Sequence, residues 1–131
     1  AMDHNVIGAA GSRMGTGTMI ILDDRTCPVG MVLNLIRFFA QESCGFCTPC
    51  RDGLPWSRQV LEDIENGAGR SEDLETLAYQ VKYIGAIGNT HCALAPGAME
   101  PLQSALKYFY DDFVRHVNGG QCPYHNNTGA S

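Results

Sequence analysis

Residues 42–53 read ESCGFCTPCRDG and set Cys44, Cys47 and Cys50 at two successive C-x2-C steps. Gly45 and Pro49 keep this stretch a loop, on which three thiols three residues apart can turn to one side and hold three corners of a polynuclear site. A cubane iron–sulfur cluster takes one thiolate per iron, so a fourth must come from elsewhere. Cys92, in the apolar segment NTHCALAPG (89–97), is the best candidate and closes the site through one long chain excursion. A structural zinc is the competing chemistry, kept open by His91 beside Cys92, but zinc sites usually pair two knuckles rather than use a triple step. Close C-x2-C pairs also occur as redox dithiols, which leaves a third option.

Working outward, the apolar residues Val29, Val32, Leu33, Ile36 and Phe39 recur at helical spacing, widened by Leu35 and Phe38. The spacing predicts a first helix over Val29–Gln41 that feeds straight into the cysteine loop. Pro55 suits the first turn of a second helix ending at Glu65, with Trp56, Val60, Leu61 and Ile64 inward and Asn66-Gly67 as the stop. Ser71 is expected to cap a third helix, with Glu72 and Asp73 in its first turn and Leu74, Leu77, Val81 and Ile84 as its stripe. A fourth is expected over Gly97–Val117, with Ala98, Leu102, Ala105, Leu106, Phe109, Phe113 and Val117 inward. Trp56, Tyr83, Phe109 and Phe113 read as packing residues rather than an electron path.

These elements predict an all-α domain over 26–118, a four-helix bundle with the metal site capping one end. Three ligands lie between helices one and two and the fourth between helices three and four, so the two loops should meet. Residues 1–25 read as a Gly-rich extension followed by a short strand, Thr18–Leu22. Gly8, Gly11, Gly15 and Gly17 precede that strand rather than follow it, which is the wrong order for a phosphate-binding loop. Residues 119–131 read as a disordered tail.

The 131 residues make one domain, and a net charge of −5 without a Lys/Arg cluster argues against nucleic acid. No apolar run reaches membrane-spanning length and no basic-then-apolar leader is visible, so direct membrane insertion is not expected. A triple C-x2-C step without an export signal fits a reducing cytosol better than a disulfide framework. The other two cysteines, Cys27 before Pro28 and Cys122 in the polar tail, have no partners at ligand spacing and read as free thiols.

The segments LNLIRFFAQ, ESCGFCTPCRDGLPW and THCALAPGAMEPLQSALKYF resemble the C-terminal part of the NADH-binding flavoprotein subunit of bacterial respiratory complex I, the NADH-quinone oxidoreductase. Related subunits occur in NAD-linked hydrogenases and formate dehydrogenases, and the wording RDGLPWS and APGAMEPLQS looks closest to the subunit of enteric-type bacteria. The resemblance runs from Gly11 to Phe113. It implies one [4Fe–4S] cluster on Cys44, Cys47, Cys50 and Cys92, a helical bundle, and a preceding β-grasp-like domain ending near Thr18–Leu22. It further implies that FMN and NADH bind in an N-terminal domain outside these residues, so that the 131-residue chain is a fragment inactive with NADH by itself. The implied role is one-electron transfer from FMN toward quinone. The implied setting is the cytoplasmic peripheral arm, among other subunits at the inner membrane. Gly45, through close backbone approach, is expected to tune the cluster, while Arg51 and Lys107 read either as offsetting its charge or, equally, as exposed surface residues.

Overall fold

The computed structural model describes residues 3–124. Its helices are α1 (His4–Ala9), α2 (Pro28–Glu42), α3 (Thr48–Arg51), α4 (Gly53–Glu65), α5 (Ser71–Ile84), α6 (Leu94–Tyr108) and α7 (Tyr110–Gly119), and no strand occurs among the described residues. The all-α expectation is met.

Each long helix forms where an apolar stripe can be covered. On α2, Val29, Val32, Leu33 and Ile36 repeat at three- and four-residue steps and are all buried. Leu54, Val60, Leu61 and Ile64 do the same on α4, and Leu74, Leu77 and Ile84 on α5. The buried face of α6 is built largely from small residues, Ala95, Ala98 and Ala105 around Met99 and Leu102, which lets neighbouring helices come close. Helix α2 packs against α4 and α6, and α5 also packs against α4 and α6, so these four helices form a ring around one core. Helix α7 touches all four and pushes Phe113 into the core with no solvent exposure.

Several expectations are corrected. Thr18–Leu22 is not a strand: it runs as irregular chain with Ile21 91% exposed, because a single apolar run has no neighbouring strand to take its backbone hydrogen bonds. The Gly-rich start contains a short helix, α1, capped by the Asp3 carboxylate, yet it buries nothing. The expected fourth helix is two. It begins at Leu94, since Pro96 is tolerated in a first turn where its missing N–H has no helical acceptor, and it breaks at Phe109 (φ −126°, ψ 25°). Asp111 and Asp112 then supply the acidic first turn that suits the start of α7. The break leaves Phe109 exposed instead of inward, and Trp56 also faces solvent, as does Tyr83; of the four aromatics read as packing residues, only Phe113 is core. Arg70 rather than Ser71 occupies the N-cap of α5, where its backbone N–H donates to Asp73 at 2.7 Å. The tail expectation fails over 121–124, where Cys122 is buried against the body of the domain; its remainder lies outside the described residues.

Candidate metal centre

The chain leaves α2 at Glu42 and turns through Ser43–Cys47 into the four-residue helix α3, where the sequence predicts plain loop. Cys47 is the N-cap of α3, Pro49 sits in its first turn, and Cys50 is carried inward on it to 7% exposure. On the other side, α5 ends at Ile84 and the loop through Cys92 leads into α6. The two loops meet at the same end of the helical ring. Cys44, Cys47, Cys50 and Cys92 line one cavity of about 130 Å³, with Glu42, Thr90 and the apolar side chains of Leu94 and Ala95 completing its wall. Cys50 forms the buried floor, Cys47 is half-buried, and Cys44 and Cys92 form the exposed rim.

The loops are tied together by contacts that involve the sulfurs themselves. The His91 backbone N–H donates to Cys47 Sγ at 3.3 Å, joining residues 44 positions apart. Ser43 Oγ shares a 3.1 Å hydrogen bond with Cys50 Sγ. The His91 ring packs edge-on to Phe46 with centroids 5.1 Å apart, so the histidine serves as a loop-to-loop contact through ring and backbone. Asn89 holds the second loop by donating to the Tyr83 carbonyl at 2.6 Å. Four thiols around one small cavity, with hydroxyl and amide donors already placed at two of them, fit a group that takes one thiolate per iron.

Two tuning expectations change. The Gly45 N–H donates to Ser43 Oγ at 3.3 Å rather than to a sulfur, so its effect passes through the serine that contacts Cys50. Lys107 sits at the far end of α6 and donates to the Ala10 carbonyl at 3.2 Å, away from the cysteines. Arg51 does stay at the loop, where it donates to the Gly45 carbonyl at 3.3 Å and pairs with Asp52.

A second constellation lies outside anything the sequence predicts. Cys27, Glu65, His116 and Cys122 converge at the other end of the ring, their ligand atoms all within 4.8 Å of one another. The expectation that Cys27 and Cys122 lack partners at ligand spacing is therefore wrong; the partners come from α4 and α7 through the fold, and no local motif announces them. Burial pushes the Cys27 thiol far above its usual range. Burial also opposes ionisation of Glu65, but hydrogen bonds from His116, Cys122 and Cys27 outweigh it and hold the carboxyl below the ordinary carboxylate value. For His116 burial is again opposed, by Glu65 and the Asp112 carbonyl, and the ring's proton affinity is raised.

Comparison with known proteins bears on the chain as a whole. The family described as the NADH-ubiquinone oxidoreductase-F iron–sulfur binding region matches residues 30–116. The F subunit of the NADH-quinone oxidoreductase of Escherichia coli is 53% identical over 112 residues, which is 86% of this chain and 25% of that protein. A second F subunit of the enzyme of Rhizobium meliloti is 47% identical over 124 residues, 95% of this chain and 29% of its own length. A chain of an NAD+-reducing [NiFe]-hydrogenase superposes with a TM-score of 0.67 at 34% identity, covering 82% of this chain and 17% of that one. The 131 residues thus span about a quarter of the curated relatives they match. By sequence match and by fold, the chain belongs to the family of NADH-ubiquinone oxidoreductase-F iron–sulfur binding regions.

Proposed function

We propose that these residues form the electron-transfer domain of the F subunit of an NADH-quinone oxidoreductase, with Cys44, Cys47, Cys50 and Cys92 as the ligands of one [4Fe–4S] cluster. The observation that carries this reading is the meeting of two loops on a single four-thiol cavity in a chain of the iron–sulfur family. When bound, the cluster supplies a one-electron site between a two-electron hydride donor and single-electron carriers. The chain's own residues set its surroundings. Cys50 and Ala95 shield the inner face, while the His91 N–H on Cys47 and the Ser43 hydroxyl on Cys50 stabilise added negative charge at two sulfurs and so favour the reduced state. Cys44 and Cys92 at the rim, with exposed Phe46 and Ile87 nearby in the two loops, mark the side by which electrons enter and leave.

In this reading FMN and NADH bind in a part of the subunit that precedes these residues, and the electrons pass through neighbouring subunits of a peripheral arm on the cytoplasmic side toward quinone. The exposed apolar run Met19–Leu22 suits pairing with a strand of a preceding domain. A quinone-linked role is favoured over a hydrogenase one by identity, 53% against 34%. Replacement tests the ligand set: after anaerobic reconstitution with iron and sulfide, Cys92→Ser should lose the cluster or convert it to a form with fewer irons. Iron retention equal to that of the unaltered protein would overturn the assignment of Cys92.

A further inference from the structure

We propose that Cys27, Glu65, His116 and Cys122 form a closed, structural zinc site at the end of the helical ring opposite the iron–sulfur loops. Two of these residues, Cys27 and Cys122, lie outside the 30–116 stretch that matches the iron–sulfur family. The other two, Glu65 and His116, lie within it, so the matched stretch holds only half of the donor set.

The donor set comes from four places in the fold. Cys27 is the N-cap of α2, Glu65 the last residue of α4, His116 lies on α7, and Cys122 follows α7. Cys27 Sγ lies 3.3 Å from Glu65 Oε2 and 3.3 Å from His116 Nε2. His116 Nε2 and Glu65 Oε2 are 3.2 Å apart. A tetrahedral zinc with bonds of about 2.0–2.3 Å separates its ligand atoms by roughly 3.3–3.8 Å, so three of the pairs already stand near that spacing. Two sulfurs, one imidazole nitrogen and one carboxylate oxygen are a borderline-soft set, which suits zinc rather than calcium or magnesium.

The groups behind the ligands are those a metal site needs. His116 Nδ1 donates to the Asp112 carbonyl at 2.6 Å, which leaves Nε2, 3.2 Å from Glu65 Oε2, as the nitrogen that would bind zinc once it gives up the proton it shares with Glu65. The Gly30 N–H points at Cys27 Sγ at 3.3 Å, a donor that stabilises a thiolate. His116 is fully buried, Cys122 4% exposed and Glu65 9%, with Cys27 half-buried, and four protein donors would fill a tetrahedral shell, which is the pattern of a structural site. The 15 residues of α2 separate the two sites by about 22 Å, given a rise of 1.5 Å per residue. Zinc here would fasten α7 and the Gly120–Tyr124 segment to the start of α2 and the end of α4, and would take no part in electron flow.

The test uses the protein purified without oxygen or chelator and away from nickel resin, with zinc and iron counted by mass spectrometry and the zinc shell read by X-ray absorption. The expected result is one zinc per chain in a shell of two sulfurs and two nitrogen or oxygen atoms. Cys27→Ser and Cys122→Ser should each lower retained zinc by about tenfold or more while iron stays. Cys92→Ser should lower iron and leave zinc, so failure here is distinct from failure of the iron–sulfur reading. If a variant does not fold, the absorption spectrum of the unaltered protein still decides. A four-sulfur shell, no retained zinc after saturation and desalting, zinc unchanged in both variants, or a Cys27–Cys122 disulfide in the anaerobic protein would overturn the proposal.

Discussion

Gly67, just past the end of α4, is where the second site and the stability of the fold can be probed together. Its φ is +81°, and a Cβ built there would lie 2.0 Å from the Gly120 carbonyl oxygen and 2.4 Å from its carbon. These are backbone atoms, so no rotamer change relieves the contact, and the 120–121 segment must retreat by roughly 1 Å or more to reach ordinary separation. Gly88 provides the control: its φ is +97°, but an added Cβ meets nothing within 4 Å. For Gly88→Ala the cost is the positive φ alone, about 1–2 kcal/mol. Gly67→Ala carries a similar strain plus an overpacking cost of about 1–3 kcal/mol. At the entropy of unfolding expected for a domain of this size, Gly67→Ala should melt roughly 5–10 °C below Gly88→Ala. Parallel far-ultraviolet circular dichroism melts in one buffer measure this. Coincident melts, or a lower midpoint for Gly88→Ala, would refute the close approach of the α4 exit to the α7 exit that also delivers Cys122.

Phe113→Ala, which empties a fully buried position, should cost about 3–5 kcal/mol in denaturant unfolding, while Phe109→Ala at the exposed break should cost under about 1 kcal/mol. Equal costs would mean that α6 and α7 run on as one helix with both rings inward. Residues 1–131 with added FMN are expected to show no NADH–ferricyanide turnover, and turnover above the flavin blank would contradict placing hydride chemistry elsewhere in the subunit.

The part of the fold that was legible in the sequence is the part written locally. Val29, Val32, Leu33 and Ile36 reveal α2 because helical period and burial coincide there, and the triple cysteine step reveals the first site because three of its donors share one short loop. Phe109 misled because its spacing continues the stripe of α6, while the break is dictated by how α7 must turn to bury Phe113 and His116. Thr18–Leu22 has the β-branched, apolar character of a strand but no strand to pair with among the described residues. The second constellation was hidden for a different reason. Cys27 and Cys122 stand 95 positions apart with no knuckle at either, and only the packing of α7 on α2 and α4 brings their partners Glu65 and His116 between them.

The central claim, that the four thiols at the meeting of the two loops carry a single electron-transfer cluster, is tested most directly by electron paramagnetic resonance. The protein would be reconstituted with iron and sulfide without oxygen, its iron counted, and the spectrum recorded after reduction. About four irons per chain with the signal of a reduced [4Fe–4S] cluster is the expected result. No iron uptake, with zinc bound by those four thiolates instead, would contradict it.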